Sequence, residues 1–69
     1  MKRTAVIKRL KKAARKAGLS FEVKELRRHT AFKVGNSAHT LKRHNEIDDV
    51  TAGLFFDQFA DVLGKGWWR

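Results

Sequence analysis

The chain has 69 residues and no cysteine, which predicts a single domain over residues 1–69 and excludes a disulfide framework or a cysteine-based zinc site. Its formal net charge of +9 favours a polyanionic partner, most often a nucleic acid. Its apolar runs are far shorter than the ~20 residues of a membrane-spanning helix, and no signal-peptide core follows the basic start, so we expect a cytoplasmic protein without membrane contact.

Residues 4–17 have the periodicity of an amphipathic helix. Thr4 is expected as its N-cap and Gly18 as the residue that follows its C-cap. The apolar stripe consists of Val6, Leu10, Ala13 and Ala17, with Ile7 and Ala14 beside it. The opposite face carries Lys8, Lys11, Lys12 and Arg15. This basic face either contacts phosphate groups or forms an ordinary solvated surface.

Three strands are predicted, at about residues 19–25, 29–34 and 38–42. Apolar and polar residues alternate in the first two, as in half-buried strands, and Thr30, Phe32 and Val34 share one face. Gly35 and Asn36 provide the turn chemistry of a hairpin between the second and third strands. The connection between the first two strands has neither Gly nor Asn.

A second helix is predicted over residues 49–63, with Asp48 or Asp49 as its N-cap. Its apolar stripe consists of Ala52, Phe55, Phe56, Phe59, Val62 and Leu63. The chain then reaches Trp67 and Trp68, which could anchor the protein to a membrane or a partner. We favour folding of at least one of them onto the core, because a domain this small needs apolar area.

The element order α-β-β-β-α predicts an α+β fold, in which a three-stranded antiparallel sheet carries both helices on one face. The other face of the sheet is then open to solvent or to partners. If Phe32 and Val34 point toward the helices, the two-residue period of a strand places His29, Ala31 and Lys33 on the open face.

The positive charge is unevenly distributed along the chain. Residues 1–47 contain 14 Lys and Arg against 3 Asp and Glu, whereas residues 48–69 contain 2 against 4. This asymmetry favours a nucleic-acid partner for the first two thirds of the chain over a charge that only maintains solubility.

His29 is the candidate catalytic residue. A histidine can accept or give a proton near neutral pH, and RNA carries its own nucleophile, the 2′-hydroxyl. Arg27, Arg28 and Lys33 could hold the phosphate, so that one histidine among them could support cleavage without a metal. An exposed histidine on a basic sheet more often only binds, and the residues alone leave both alternatives open.

The other two histidines are interpreted differently. His44 is read as a loop residue that follows the third strand, and His39 as a partly covered structural residue on the face of Leu41. No His, Asp or Glu cluster has the spacing of metal ligands. There is also no glycine-rich phosphate loop, so neither a metal nor a cofactor is expected.

Three segments, MKRTAVIKRL, HTAFKVGNSAHTLKRHNEID and DDVTAGLFFDQFADVLGKGWWR, cover 51 of the 69 residues. They resemble the start, the core and the end of HicA-type toxins, the mRNA interferases of type II toxin–antitoxin pairs, in an actinobacterial branch that ends in Trp-Trp-Arg. Two positions depart from the family pattern. Arg27-Arg28-His29 stands where the family has Gly-x-His, and Lys42 stands where it often has proline.

The resemblance implies a double-stranded-RNA-binding-like fold and an endoribonuclease that acts on mRNA. It implies that His29 matches the catalytic histidine and that His44 matches the second characteristic histidine. It also implies a HicB-like antitoxin that covers the active face. The residues expected to bind RNA are Arg27, Arg28, Lys33, Lys42, Arg43 and His44.

Two other functions remain open at the level of the sequence. One is a non-catalytic RNA- or DNA-binding module of the same fold. The other is a small accessory protein that docks another protein through its open sheet and its Trp-Trp tail.

Overall fold

The computed structural model describes residues 1–69 as one antiparallel sheet with helices at either end of the chain. The elements are α1 (Arg3–Lys16), β1 (Phe21–Glu25), β2 (Thr30–Val34), β3 (Ser37–Leu41), α2 (Asp49–Asp57) and α3 (Ala60–Leu63). The sheet has the order β1-β2-β3, and both pairs of strands are antiparallel. The predicted α+β fold with a three-stranded antiparallel sheet is therefore confirmed.

The core lies between one face of the sheet and the helices, which all pack on that face. The apolar side chains that form it are Val6, Leu10, Ala14, Phe32, Val34, Leu41, Ile47, Ala52, Phe55, Phe56 and Phe59. Most of these side chains come from α1, β2, β3 and α2. On the opposite face, Glu22, Lys24, Lys33 and Thr40 are exposed, so the second face of the sheet is open, as the alternation predicts.

The first helix begins earlier than predicted. Its N-cap is Lys2, which has no side-chain capping hydrogen bond, so the assignment of Thr4 as the N-cap is wrong. The C-terminus is as expected: Gly18 has a φ of 71°, its N–H donates to Arg15 O at 3.0 Å, and the N–H of Leu19 donates to Ala14 O at 2.9 Å. This pair of bonds is a Schellman motif, which favours glycine.

The predicted helix over residues 49–63 is divided into α2 and α3. The backbone turns at Gln58 and Phe59, where the N–H of Phe59 donates to Phe56 O at 3.1 Å in a tighter turn than an α-helix. The bend leaves Phe59 fully buried and brings Asp61 to Ser37 Oγ, at 2.9 Å. The prediction of one continuous helix is therefore wrong at this turn, whereas the predicted burial of Phe59 is confirmed.

The N-terminus of α2 is capped as predicted, because the Asp48 carboxylate accepts a hydrogen bond from the N–H of Thr51 at 3.0 Å. Hydrogen bonding of the ionised carboxylate to Thr51, first to its side chain and then to its N–H, lowers the pKa of Asp48 below its ordinary value.

The C-terminal tryptophans pack back onto α2. The indole N–H of Trp67 donates to Phe56 O at 2.8 Å, and that of Trp68 donates to Asp57 Oδ1 at 2.8 Å. Both rings also lie against the ring of Phe56. The expectation that at least one tryptophan covers the core is confirmed. No helix in the structure has the length and apolar character needed to cross a membrane.

Candidate functional site

The β1–β2 loop, residues 26–29, closes without glycine. The N–H of Leu26 donates to His29 O at 2.8 Å, and no residue other than glycine has a positive φ anywhere in the chain. The guanidinium of Arg43, which follows β3, donates to the carbonyl oxygens of Leu26, Arg27 and His29. Side-chain donors from a distant segment therefore hold this loop, so it does not need the glycine that the family pattern has there.

A polar network lies directly behind this loop. The hydroxyl of Thr30, which is 1% exposed, donates to Glu25 Oε1 and accepts a hydrogen bond from Arg3 Nη2 at 2.8 Å. Arg3 Nε also donates to Lys42 O at 3.0 Å, and Arg43 Nε lies 3.3 Å from Glu25 Oε1. The network ties α1 to the β1–β2 loop and to the end of β3.

The environment of Glu25 stabilises its ionised form. The hydrogen bond from Thr30 and then the guanidinium of Arg43 lower the pKa of Glu25 below its ordinary value, although partial desolvation opposes them. The carboxylate is therefore available to both partners at neutral pH.

The pairing register brings the two histidines of the candidate site to the same place. Thr30 is paired with Leu41, so the residues just before β2 lie beside those just after β3. His29 and His44 consequently line one surface cleft of about 400 Å³. We call it the cationic cleft, and its lining consists of Arg28, His29, Lys42, Arg43 and His44. All five residues are exposed, and none is acidic.

A second, smaller cleft of about 220 Å³ adjoins His29 and runs between β3 and α2. We call it the α2 cleft. Its lining consists of His29, Thr40, Leu41, Lys42, Thr51, Leu54, Phe55 and Gln58. Leu54 is 64% exposed there. His29 thus lies where a cationic surface meets a partly apolar one.

Two of the residues expected to bind RNA lie outside the cationic cleft. Lys33 is in the middle of β2 on the open face, where its Nζ is 4.0 Å from Glu22 Oε2. At ~3.3 Å per residue it is about 13 Å along the strand from His29. Arg27 is exposed in the loop and does not line either cleft. Arg28, Lys42, Arg43 and His44 are the ones that gather around His29.

Arg43 has a structural role that the sequence did not indicate. Its guanidinium is shared among three carbonyl oxygens, Glu25 and Thr30. Most of its donors are therefore engaged within the protein, which makes it a positioning residue for His29. The sequence does not indicate that Arg3 and Thr30 belong to the site, because only the packing of α1 against the sheet brings them together.

The basic face of α1 forms a separate cationic surface. Lys8, Lys11, Lys12 and Arg15 line a cleft of about 450 Å³ of their own. None of the four makes an ion pair. We call this surface the lysine face. It belongs to the helix layer, whereas the cationic cleft lies at the ends of β2 and β3, so the two are distinct.

His39 is a structural residue, as its pattern indicates. Its Nε2 is hydrogen-bonded to Ser37 Oγ at 2.9 Å, and its ring stands edge-on to that of Phe59 at 4.8 Å between centroids. It faces the helices, away from the open sheet face.

Comparison of the chain with protein-family models, with curated proteins and with solved structures finds no match. No group of three or more His, Cys, Asp or Glu side chains could hold a metal ion.

Proposed function

We propose that this protein is an endoribonuclease that binds RNA in the cationic cleft and cleaves it with His29 and His44. The observation that supports this best is the presence of two histidines, from segments 15 residues apart in the chain, in one cleft with Arg28 and Lys42. Two imidazoles can act as base and acid in one reaction, and the flanking cations suit a phosphate group. The absence of acidic residues from the lining removes a source of repulsion for a polyanion.

In the proposed reaction, His29 in its neutral form takes the proton of a 2′-hydroxyl while that oxygen attacks the adjacent phosphorus. The bond from phosphorus to the 5′-oxygen of the next nucleotide breaks. His44 in its protonated form gives a proton to this leaving oxygen. The products are one RNA end with a 2′,3′-cyclic phosphate and one with a free 5′-hydroxyl.

Arg28 and Lys42 are assigned to the phosphate. Charge builds up on its non-bridging oxygens in the transition state, and cations fixed beside them stabilise that charge more than they stabilise the ground state. Arg43 acts indirectly. Its hydrogen bond to the His29 carbonyl fixes the backbone from which the imidazole side chain extends.

The α2 cleft is assigned to a nucleobase next to the cleaved bond. It opens at His29 and offers the apolar surfaces of Leu54 and Phe55 together with the polar side chains of Thr51 and Gln58. Apolar side chains can cover the face of an unstacked base, while polar groups bond to its edge.

The resemblance to HicA-type toxins supports mRNA in the cytoplasm as the substrate. It also supports a HicB-like antitoxin as the protein that would cover the cationic cleft. Under this proposal, production of the chain alone slows growth, and production of the His29→Ala variant does not.

The direct test uses a DNA oligonucleotide that contains a single ribonucleotide, incubated with the purified protein in the presence of a chelator. Cleavage is expected only after the ribonucleotide, with a 2′,3′-cyclic phosphate at the new end. A 2′-O-methyl group at that position is expected to abolish cleavage. Undiminished cleavage by His29→Ala, or cleavage of the all-DNA control, would contradict the proposed chemistry.

A non-catalytic RNA- or DNA-binding module is the second candidate function. The lysine face favours it, since this surface is cationic and carries no histidine. In this case the protein would bind the oligonucleotide with a steep dependence on salt and leave it intact, and His29→Ala would change the affinity only slightly.

A further inference from the structure

The outer edge of β1 is unpaired, and its free hydrogen-bonding groups can be assigned. Gly35 N donates to Ser20 O at 3.0 Å, and Leu26 N donates to His29 O at 2.8 Å. Hydrogen-bonded and non-hydrogen-bonded pairs alternate along an antiparallel ladder. The even-numbered residues of β1 therefore bond to β2, and the N–H and C=O groups of Phe21, Val23 and Glu25 point away from the sheet.

This edge has features that natural proteins usually avoid on an exposed strand. Val23 is 52% exposed, although its side chain is on the helix side of the sheet, opposite Phe32. Neither proline nor a bulge interrupts β1, which pairs with β2 over five consecutive residues. A regular, partly apolar edge of this kind is a template for another strand.

The charge of β1 differs from that of its surroundings. Residues 1–47 contain three acidic residues, and two of them, Glu22 and Glu25, are in this five-residue strand with one basic residue, Lys24. The strand therefore carries charges of both signs, in a chain whose formal net charge is +9. In FEVKE, the oppositely charged Glu22 and Lys24 stand symmetrically on either side of the central valine.

We propose that two copies of this chain associate through β1, in antiparallel register about a two-fold axis at Val23, to form one continuous six-stranded sheet. Val23 then exchanges both backbone hydrogen bonds with the partner's Val23. On the open face, Glu22 lies opposite the partner's Lys24, and Lys24 lies opposite the partner's Glu22. An antiparallel pair with opposite charges directly across from each other is favourable.

The same register also defines the contacts at the two ends of β1. Glu25 lies opposite the partner's Phe21, next to which Lys11 and Arg15 line the edge of β1 together with Leu19, Phe21 and Val23. The isologous contact is closed, so it produces a dimer and not a filament. Because the net charges of the two copies repel, the dimer is weak, and it forms in the micromolar to millimolar range.

The first test is sedimentation velocity across that concentration range at physiological salt, where long-range repulsion is screened. The wild type is expected to shift from monomer to dimer as the concentration rises. Lys24→Glu places two pairs of carboxylates opposite each other and should weaken the dimer at least ~10-fold. The double variant Glu22→Lys, Lys24→Glu restores opposite charges in the proposed register and should restore the dimer.

A matched control is Lys65→Glu, which makes the same change in net charge at an exposed position after α3. It should leave the association unchanged or strengthen it slightly. Thermal melts of all variants exclude unfolding as the cause of any loss. A wild type that stays monomeric throughout, or a double variant that is no better than Lys24→Glu, would overturn the proposal.

Amide hydrogen exchange tests the outer edge of β1 directly. In the monomer, the outward amide of Val23 should exchange its hydrogen rapidly, whereas the inward amide of Lys24, bonded to β2, should be protected. Raising the protein concentration should slow exchange at Val23 and leave Lys24 unchanged. Fast exchange at Val23 in a sample shown to be dimeric would place the interface elsewhere and overturn the assignment to β1.

Discussion

Arg43 Nη2 donates a hydrogen bond to the backbone carbonyl of His29 at 2.7 Å. The two residues are 14 apart in the chain, on either side of the β2–β3 hairpin. This bond, with those to Leu26 and Arg27, lets a loop without glycine present His29 to the cationic cleft. The bond links the position of His29, and so the proposed chemistry, to the packing of the sheet. Both RNA cleavage and the stability of the loop can therefore test it.

Replacing Arg43 with Lys should loosen the β1–β2 loop, because an ammonium group cannot reproduce the fork of donors that a guanidinium offers to several carbonyl oxygens. Trypsin should then cut after Arg27 and Arg28 several-fold faster than in the wild type, and RNA cleavage should fall. Arg15→Lys is the matched control, since it makes the same exchange at an exposed arginine of α1 whose side chain has no ion pair within the protein. Equal proteolysis rates in Arg43→Lys and wild type would remove Arg43 as the support of the loop.

Thr30→Val keeps the shape of a buried side chain and removes its hydroxyl. Glu25 loses a donor and Arg3 loses an acceptor, and we expect a loss of about 1–3 kcal/mol in the free energy of unfolding. Urea denaturation at neutral pH measures it. Thr30→Ser retains the hydroxyl and should keep the network, so similar losses in both variants would show that the network is not the cause.

The lowered pKa of Glu25 predicts how stability depends on pH. Its folded pKa lies below the ordinary value of 4.5, so its contribution is fully present above that value and is lost as the pH falls through the folded pKa. The wild type should therefore exceed Glu25→Gln in stability at neutral pH, and the difference should shrink in acid. Urea midpoints across this range measure both curves, and a difference that grows in acid would contradict the sign.

The two arginines of the β1–β2 loop should contribute differently to RNA affinity. Arg28 lines the cationic cleft and Arg27 does not, so Arg28→Ala should weaken binding and Arg27→Ala should change it little. The loss of one phosphate contact to single-stranded RNA should reduce the magnitude of the negative slope of log K against log salt concentration by about 0.7. Titrations at several salt concentrations give both slopes, and equal effects of the two variants would show that the cleft does not define the contact.

Gly53 leaves room for Trp68. A Cβ at this position would lie 3.2 Å from Cη2 of the indole, so Gly53→Leu should displace the ring and break its bond to Asp57. Leucine is a good helix former, so a loss of stability, expected at about 1–3 kcal/mol, would come from overpacking. A red shift of tryptophan emission should accompany it. Gly53→Ala, which needs a smaller shift, should have a weaker effect, and an unchanged emission in Gly53→Leu would contradict the packing.

The periodicity of the sequence was sufficient for most of the fold, because the spacing of apolar residues reports which face of an element is buried. It predicted α1 and the three strands, while turn and cap residues predicted the hairpin at Gly35 and an N-cap at Asp48 or Asp49. It was wrong in predicting one continuous helix over residues 49–63. Apolar spacing does not report the turn at Gln58 and Phe59, because Phe59 is buried on either side of that difference, as a member of the predicted stripe and in the observed fold.

The sequence by itself determined that the protein is small, strongly basic and α+β. It did not place His29 correctly, because this residue lies in the loop before β2 and lines a cleft with residues of α2, and is not the first residue of a strand on the open face. Only the tertiary structure decided which charged residues join that histidine. Lys33 is closer to His29 in the chain than Lys42 and His44 are, yet the pairing of Thr30 with Leu41 brings the latter two to the cleft and leaves Lys33 with Glu22. Successive residues of a strand are about 3.3 Å apart along its axis. Antiparallel pairing, in contrast, brings residues that are distant in the sequence side by side. The sequence alone does not specify that pairing residue by residue.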